Sequence, residues 1–257
     1  MKQGYKKILA TRSSSRRQVL GFLRSTVAAL LVGCIGRQSA LGKTPGTATQ
    51  TPAKTARIPS CVVKPQQTEG PYFVDEKLNR SDIRSDPSNN LVKEGTKLRL
   101  VMRVSQISGS SCMPLSSATV DLWHCDALGV YSDVQDRSFD TRGKKFLRGY
   151  QITDKNGVVQ FITIYPGWYP GRAVHMHFKI RTDSTSQQSY EFTSQLYFDD
   201  SFTDKIYAQA PYAAKGKRTQ RNNQDGIFQD GGKDLILQVS QDGKGYVGTF
   251  DIGLHQS

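Results

Sequence analysis

No aspartate or glutamate occurs before Glu69, although residues 1–68 hold twelve lysines and arginines. Of a formal net charge of +13, those twelve leave about +1 for everything that follows. The basic balance therefore belongs to a leading segment, and it argues against a nucleic-acid surface on the remainder. A basic tail that grips nucleic acid is the competing reading of the segment itself; the export pattern below displaces it. The apolar run Val27–Ile35 is well short of the ~20 residues that a spanning helix needs. Residues 35–59 hold no aromatic side chain and are rich in Gly, Ser, Thr, Pro, Ala and Lys, so they cannot bury enough apolar surface to offset the entropy of ordering. There is no internal repeat, which excludes solenoid and propeller architectures.

What the leader does contain is specific. Ser15-Arg16-Arg17-Gln18-Val19-Leu20, followed by the short apolar run, is a twin-arginine export pattern, an address read in bacteria. Leu31-Val32-Gly33-Cys34 resembles a lipobox, and no small-x-small cleavage site follows it. Lipidation of Cys34, anchoring the chain to a membrane, is the expectation, against loss of that cysteine with the leader. The expected organisation is an export signal over 1–33, a tether over 34–60 and one folded domain over 61–257, with a periplasmic or cell-surface location. Roughly 200 residues suffice for a sizeable core. After export Cys61, Cys112 and Cys125 meet an oxidising compartment. Cys61 and Cys112 are the pair expected to bridge, while Cys125 is a buried thiol or an alternative partner; sequence leaves the pairing open.

Within the domain the hydrophobic period is two. Leu98–Val104 alternates apolar and polar, and further strands are expected over 118–125, 158–165, 174–181, 191–198, 234–239 and 246–252. Turn residues separate them, as in Asp154-Lys155-Asn156-Gly157. One segment, 201–208, reads as a helix with Ser201 as its N-cap, and Pro211 blocks its continuation. The class is all-β, an antiparallel sandwich or barrel with one short helix. Residues 70–97 and 211–233 are long irregular loops, a length that usually marks function or mobility.

The chemistry concentrates in Tyr169-Pro170-Gly171-Arg172-Ala173-Val174-His175-Met176-His177. On a strand His175 and His177 share a face, and Val174, Met176 and Phe178 take the other. The rigid Pro166-Gly167-Trp168-Tyr169-Pro170-Gly171 turn fixes where Tyr169 points, and a second Gly-Tyr element, Gly129-Val130-Tyr131, ends the strand that carries Trp123. Two phenols with two imidazoles select their metal. A phenol titrates near 10, so holding one as phenolate at pH 7 takes about 4 kcal/mol, which a hard trivalent cation supplies and an apolar pocket does not. Tyrosinate ligation points to Fe(III); a carboxylate in place of the phenols would suggest Fe(II), and sulfur would suggest zinc.

With these elements in order, the sequence resembles the intradiol ring-cleavage dioxygenases, whose members include catechol and protocatechuate types. The resemblance rests on Trp123…Gly129-Val130-Tyr131, Pro166-Gly167-Trp168-Tyr169-Pro170, Arg172-Ala173-Val174-His175-Met176-His177-Phe178 and Ser194-Gln195-Leu196-Tyr197-Phe198, and runs from Thr68-Glu69-Gly70-Pro71-Tyr72-Phe73 to about Phe228. It implies a β-sandwich catalytic domain and a mononuclear non-haem Fe(III) held by Tyr131, Tyr169, His175 and His177. It further implies an active-site Arg172 supported by Gln195, with Tyr169 as the ligand displaced when substrate binds. Tyr72 and Pro71 match a segment that walls the substrate cleft. The implied reaction opens a catechol-type ring with O2 between its two hydroxylated carbons, giving a cis,cis-muconate-type dicarboxylic acid. The catechol-type members carry a helical dimerisation region before the catalytic domain; here that stretch is leader and tether, so a homo-oligomer is not legible.

Two other classes compete: a surface-anchored β-sandwich module that binds a metal or ligand without turnover, and a copper oxidase, which would not need two phenolates. His124 is expected outside the site, His255 in a tail, and residues 218–223 in a solvated loop, while Asp225-Gly226-Ile227-Phe228 helps close the pocket.

Overall fold

In the computed structural model, which describes residues 62–182 and 190–255, Leu98, Leu100, Met102 and Val104 are buried at every second position of β1 (Lys97–Ser108). Between them Arg99 and Arg103 face outward and pair with Asp242 at 2.7 Å and Asp251 at 2.6 Å. The twin-arginine pattern, Cys34, the tether and Cys61 lie outside the described residues.

Among the described residues nine strands form two sheets. The first contains β1, β2 (Ser111–Pro114), β5 (Val158–Ile164), β8 (Gln238–Asp242) and β9 (Gly245–His255), in the order β2-β1-β9-β8 with β5 also paired to β1. The second is β4-β3-β6-β7, formed by β3 (Thr119–Trp123), β4 (Arg148–Ile152), β6 (His175–Arg181) and β7 (Glu191–Tyr197). One apolar core draws on both sheets; Phe178 of β6 meets Phe250 of β9 with ring centroids 5.7 Å apart. Each such fully buried side chain stabilises the fold by about 1.5–3 kcal/mol.

Several expectations change. The sheets are not wholly antiparallel: β9 runs parallel to β1, from Leu98 opposite Tyr246 to Ile107 opposite His255. A hairpin would force antiparallel pairing, but β9 returns to β1 only after the chain has built the second sheet, so its direction is free. His255 therefore ends a strand and is not in a loose tail. Residues 234–239 are not one strand. Gly232–Leu235 is a helical turn, and β8 starts at Gln238; Leu235 and Leu237 are both buried, which mimics the alternation of a strand without its ladder. Strands β2 and β4 escaped the pattern, being four and five residues long and largely polar or half-exposed.

The helix α1 spans Asp200–Tyr207, capped by Asp199 and not Ser201. Its carboxylate accepts the Ser201 and Phe202 N–H groups, both at 2.9 Å, while Ser201 sits inside the first turn. Residues 211–233 are mostly short helical turns, including α2 (Gly226–Gln229). Arg218 is not solvated: it is buried in ion pairs with Asp200 and Asp204 on α1, and Asn222 is buried. Cys112 is disulfide-bonded, its expected partner Cys61 being outside the described residues, and Cys125 is a free, buried thiol.

Candidate metal and diol site

Strand register assembles half of the site. β3, β6 and β7 are consecutive in the second sheet, so His177 lies between Trp123 on one side and Gln195 on the other, and His175 lies opposite Tyr197. Trp123 stacks flat on the His177 ring, with centroids 5.1 Å apart and planes 9° from parallel. All four of these polar or ionisable partners on β6 and β7 are buried.

Loops bring the phenols. After β3 the chain turns tightly around the buried Asp126, whose Oδ1 accepts the Leu128 and Val130 N–H groups at 3.0 Å, while its backbone oxygen accepts Gly129 N–H at 2.9 Å and Gly167 N–H at 3.0 Å. The Tyr131 turn and the Tyr169 turn are therefore bolted together. Gly129 makes the contact possible: its φ is +80°, and a Cβ there would lie 2.1 Å from the Trp168 carbonyl oxygen. The Tyr131 and Tyr169 rings end 5.8 Å apart, centroid to centroid.

At the centre, His175 Nε2 lies 3.0 Å from both the Tyr169 hydroxyl and His177 Nε2. His175 Nδ1 is 2.7 Å from the Ala173 carbonyl. A carbonyl can only accept, so Nδ1 carries the proton and Nε2 presents its lone pair inward, as in metal-ligating histidines oriented from behind by an acceptor. Burial, followed by the Arg172 charge, pushes His175 down to about 3, and burial with the neighbouring His175 holds His177 well below the usual imidazole range. Both rings are therefore neutral at pH 7. Burial and the adjoining Tyr169 push Tyr131 well above its ordinary value, and burial does the same to Tyr169 despite the opposing charge of Arg172.

The Tyr131 hydroxyl and His177 Nδ1 are buried without a hydrogen-bond partner. An unsatisfied buried polar atom costs about 1–3 kcal/mol, so the Tyr131 hydroxyl at the cluster calls for a ligand, whereas His177 meets the cluster through Nε2 and not through Nδ1. Among the described residues no group of three or more His, Cys, Asp and Glu could hold a metal. A cation seated on His175 and His177 must therefore draw its remaining protein ligands from the phenols. Two neutral imidazoles and two phenols whose deprotonation needs a strong cation fit a ferric ion.

Arg172 faces the same cluster, its Nη1 3.4 Å from His175 Nε2. It is held on three sides. Nε donates to Asp225 Oδ2 at 3.0 Å, Nη2 donates to Gln195 Oε1 at 2.6 Å, and Nη2 lies 3.4 Å from the Tyr197 hydroxyl. Gln195 is anchored in turn by its Nε2 on the Thr68 carbonyl at 2.9 Å. Asp225 also accepts Ala173 N–H at 2.8 Å and Ile227 N–H at 2.8 Å. Although burial opposes its charge, these N–H groups and Arg172 bring its pKa below the ordinary value.

The structure thus gathers Tyr131, Tyr169, Arg172, His175, His177 and Gln195 in one place. Beside Tyr131 and Tyr169 opens a cleft of about 460 Å³, lined also by Tyr72, Leu128, Val130, Asp136, Ser138, Phe139, Pro170 and Lys215. Tyr72 stacks on Tyr131 at 4.6 Å and donates its hydroxyl to Asp136 at 2.7 Å. Pro71 is exposed and stands outside this lining. His124 is elsewhere, fully buried with its ring nitrogens on the Cys125 carbonyl at 2.8 Å and Thr163 Oγ1 at 2.7 Å. Two residues gained a place beyond the sequence reading. Tyr197 had a signal, lying two residues after Gln195 on the same strand face; Asp225 was expected only to help close the pocket, and its clamp on Arg172 had no signal.

The sequence profile of the family described as Dioxygenase matches residues 68–225. An intradiol ring-cleavage dioxygenase from Tetranychus urticae is 30% identical in a solved structure that superposes with a TM-score of 0.65, covering 77% of this chain and 98% of that one. The dioxygenase domain of a dioxygenase–carbohydrate-binding protein fusion from Streptomyces sp. SirexAA-E is 28% identical with a TM-score of 0.53, covering 76% of this chain and all of that domain. Among curated sequences, the protocatechuate 3,4-dioxygenase beta chain of Burkholderia cepacia is 28% identical over 168 residues, 60% of this chain and 69% of that one.

Proposed function

The chain belongs to the intradiol dioxygenase family, and we propose from the geometry of its site that it is a mononuclear Fe(III) enzyme that opens a catechol-type ring with O2 to a cis,cis-muconate-type dicarboxylic acid. The observation that carries this reading is the His175 lone pair, fixed by the Ala173 carbonyl and aimed into a buried cluster with His177, Tyr169 and the partnerless Tyr131 oxygen. The core shared by the two sheets supports a β-sandwich as the catalytic scaffold.

Tyr131, Tyr169, His175 and His177 would hold the metal. When bound, a ferric ion supplies a Lewis-acid seat for both diol oxygens and draws ring electron density into reach of dioxygen. The rest is the work of the chain. Tyr169 borders the cleft and is only half-buried, so among the four it would be the ligand that yields to the diol, and its oxygen would be placed to take up a diol proton. Tyr131, enclosed and stacked under Tyr72, stays. Arg172 is aimed at the cluster by Asp225, Gln195 and Tyr197, where its charge stabilises negative charge developing on the ring. Preorganised in a buried site, that charge acts without reorienting. The cleft offers room for a small aromatic diol on the tyrosine side of the cluster.

The twin-arginine pattern and Cys34 support export, with the domain tethered at the periplasmic face or cell surface. Purified protein loaded with ferric iron should be burgundy from a tyrosinate-to-iron charge-transfer band and should consume O2 with catechol, protocatechuate, hydroxyquinol or a chlorocatechol. Tyr169→Phe should bleach much of the band. Colourless protein that takes up neither iron nor oxygen would refute this function and favour a binding module without turnover.

A further inference from the structure

Among the described residues that line the cleft beside Tyr131 and Tyr169, two carry charge, Asp136 and Lys215. The carboxylate is well supplied with donors. Its Oδ2 accepts the Tyr72 hydroxyl at 2.7 Å, and its Oδ1 accepts the Ser138 hydroxyl at 2.9 Å and the Ser138 N–H at 3.2 Å. Lys215 has no such match. It makes no ion pair among the described residues, and Asp126, in the same turn as Leu128, is taken by Lys93 at 2.6 Å. The Lys215 ammonium donates to the Leu128 carbonyl and lies 4.9 Å from the centre of the Trp168 ring. An ammonium carries three N–H donors, so two remain without an acceptor among the described residues. The lysine is nevertheless firmly placed. It ends the helical turn Tyr212–Lys215, which the buried Tyr212 anchors: its hydroxyl donates to the Tyr165 carbonyl at 2.7 Å and accepts the Thr96 N–H at 2.9 Å. Gly129 makes room for the ammonium as it does for the Trp168 carbonyl, since a Cβ there would lie 2.3 Å from Nζ. Lys215 therefore stands against both tyrosine turns, beside Gly129 on the approach to Tyr131 and over Trp168, the neighbour of Tyr169.

We propose that Lys215 is a specificity-determining residue, and that the diol this site prefers carries a carboxylate on its ring. The proposal deepens the ferric reading above and rests on it. With its two hydroxyl oxygens held at the ligand cluster, an aromatic diol projects its remaining ring positions into the cleft. Leu128, Val130, Phe139 and Pro170 offer that ring apolar contact and do not distinguish a charged substituent from a neutral one. The two ionic residues do. Asp136 already has its donors, and its own charge turns a second carboxylate away from that side of the cleft. Lys215 has free donors and no anion. A ring carboxylate set against it forms a charge-assisted hydrogen bond at a half-buried ammonium, whereas a neutral ring leaves those donors to water. The contact is made alike in the ground and transition states, so it acts on KM more than on kcat.

The test compares protocatechuate with 3,4-dihydroxybenzamide, its neutral isostere, on iron-loaded protein and reads the ratio of their kcat/KM values. Wild type should favour the acid by about tenfold or more, the lower end of what a hydrogen bond to a charged group contributes. Lys215→Met should bring that ratio down towards one, chiefly by raising KM for protocatechuate, and Lys215→Arg should keep most of the preference. A lysine that merely braces the Leu128 turn would affect both substrates alike, and the ratio cancels such damage. A wild-type ratio near one, or a ratio that Lys215→Met leaves unchanged, overturns the proposal. If Lys215→Met does not fold, the wild-type ratio is read from low to high salt. A falling ratio supports the proposal, because salt screens a pair that is only half-buried, and a constant one overturns it. Turnover of catechol with no preference for the acid overturns the proposal and leaves the ferric reading standing. A wild type with no charge-transfer band and no oxygen uptake on any of these diols brings down the ferric reading, and the proposal with it.

Discussion

Arg172→Ala should separate holding iron from using it. Arg172 is not among the four inferred ligands, and its Nη1 lies 3.4 Å from His175 Nε2 without being needed to orient that ring, since the Ala173 carbonyl already does so at 2.7 Å. Iron content and the charge-transfer band should therefore survive. What goes is a charge aimed at the reacting ring. Loss of one such preorganised donor costs about 2.7–4 kcal/mol, or roughly 10²–10³ in kcat. Because the interaction strengthens only as charge develops, kcat and kcat/KM should fall together with little change in KM.

The stability cost can be bounded from the same contacts. Breaking a buried ion pair typically costs about 3–5 kcal/mol, and the Asp225 side chain left behind is 2% exposed. Asp225 nevertheless keeps the Ala173 and Ile227 N–H groups, both at 2.8 Å, so the lower figure of about 1–3 kcal/mol for an incompletely satisfied buried group applies. For a domain of this size 2 kcal/mol lowers Tm by about 4–8 °C, and the variant stays folded at 25 °C. Oxygen uptake on catechol, iron quantification and a melting curve decide it. A kcat within about twofold of wild type refutes the role assigned to Arg172. Iron lost in parallel with turnover would make it a structural support of the ligands.

Three further outcomes are expected. His175→Ala or His177→Ala should abolish retention of iron through gel filtration, because each removes one of the two neutral imidazoles and leaves a three-ligand site with a single nitrogen donor. Gly129→Ala should destabilise by more than the ~1–2 kcal/mol of a left-handed non-glycine residue, since its φ of +80° comes with a Cβ 2.1 Å from the Trp168 oxygen. It should also broaden the charge-transfer band by parting the two tyrosine turns, and a crystallographically unshifted Tyr131 would contradict this. Asp199→Ala should cost about 1 kcal/mol by uncapping α1. The Asp199 carboxyl is held below its ordinary pKa by Ser201 and the Phe202 N–H. Its contribution is therefore present above the unfolded-state pKa near 4 and lost as pH falls through the lower folded value. Denaturation curves of wild type and variant should converge at acid pH, and a gap that persists there would place the effect outside the cap.

Much of the site was legible in sequence because its order along the chain is dense. His-x-His on a strand puts two imidazoles on one face whatever the fold; Gln195 entered through the family resemblance, and Tyr197 shares its strand face. The tyrosines were legible by their turns: Gly129 and Gly167 mark places where two backbones touch, which a sequence shows as glycine before tyrosine or tryptophan. What connected the two halves was not legible. Asp126 ties the turns together through backbone groups, and nothing in Cys125-Asp126-Ala127 distinguishes it from an ordinary loop aspartate.

The fold was missed where burial came without a ladder, or a ladder came without burial. Leu235 and Leu237 alternate like a strand and are buried, yet the first belongs to a helical turn. β4 is a strand in which only Arg148 is buried, and a lone buried arginine reads as surface in any hydropathy pattern. Parallel pairing of β1 with β9 depends on a connection longer than one hundred residues, which local periodicity does not encode. The same limit explains why the arginine clamp was half seen. Arg172 was placed by the family resemblance, whereas Asp225, 53 residues away and expected only to help close the pocket, takes its hold on Arg172 from the loop that returns to it. Ligands on neighbouring strands can be read from spacing; the charge beside them cannot, because the meaning of Arg172 is fixed by Asp225, Gln195 and Tyr197, which only the folded chain brings to it.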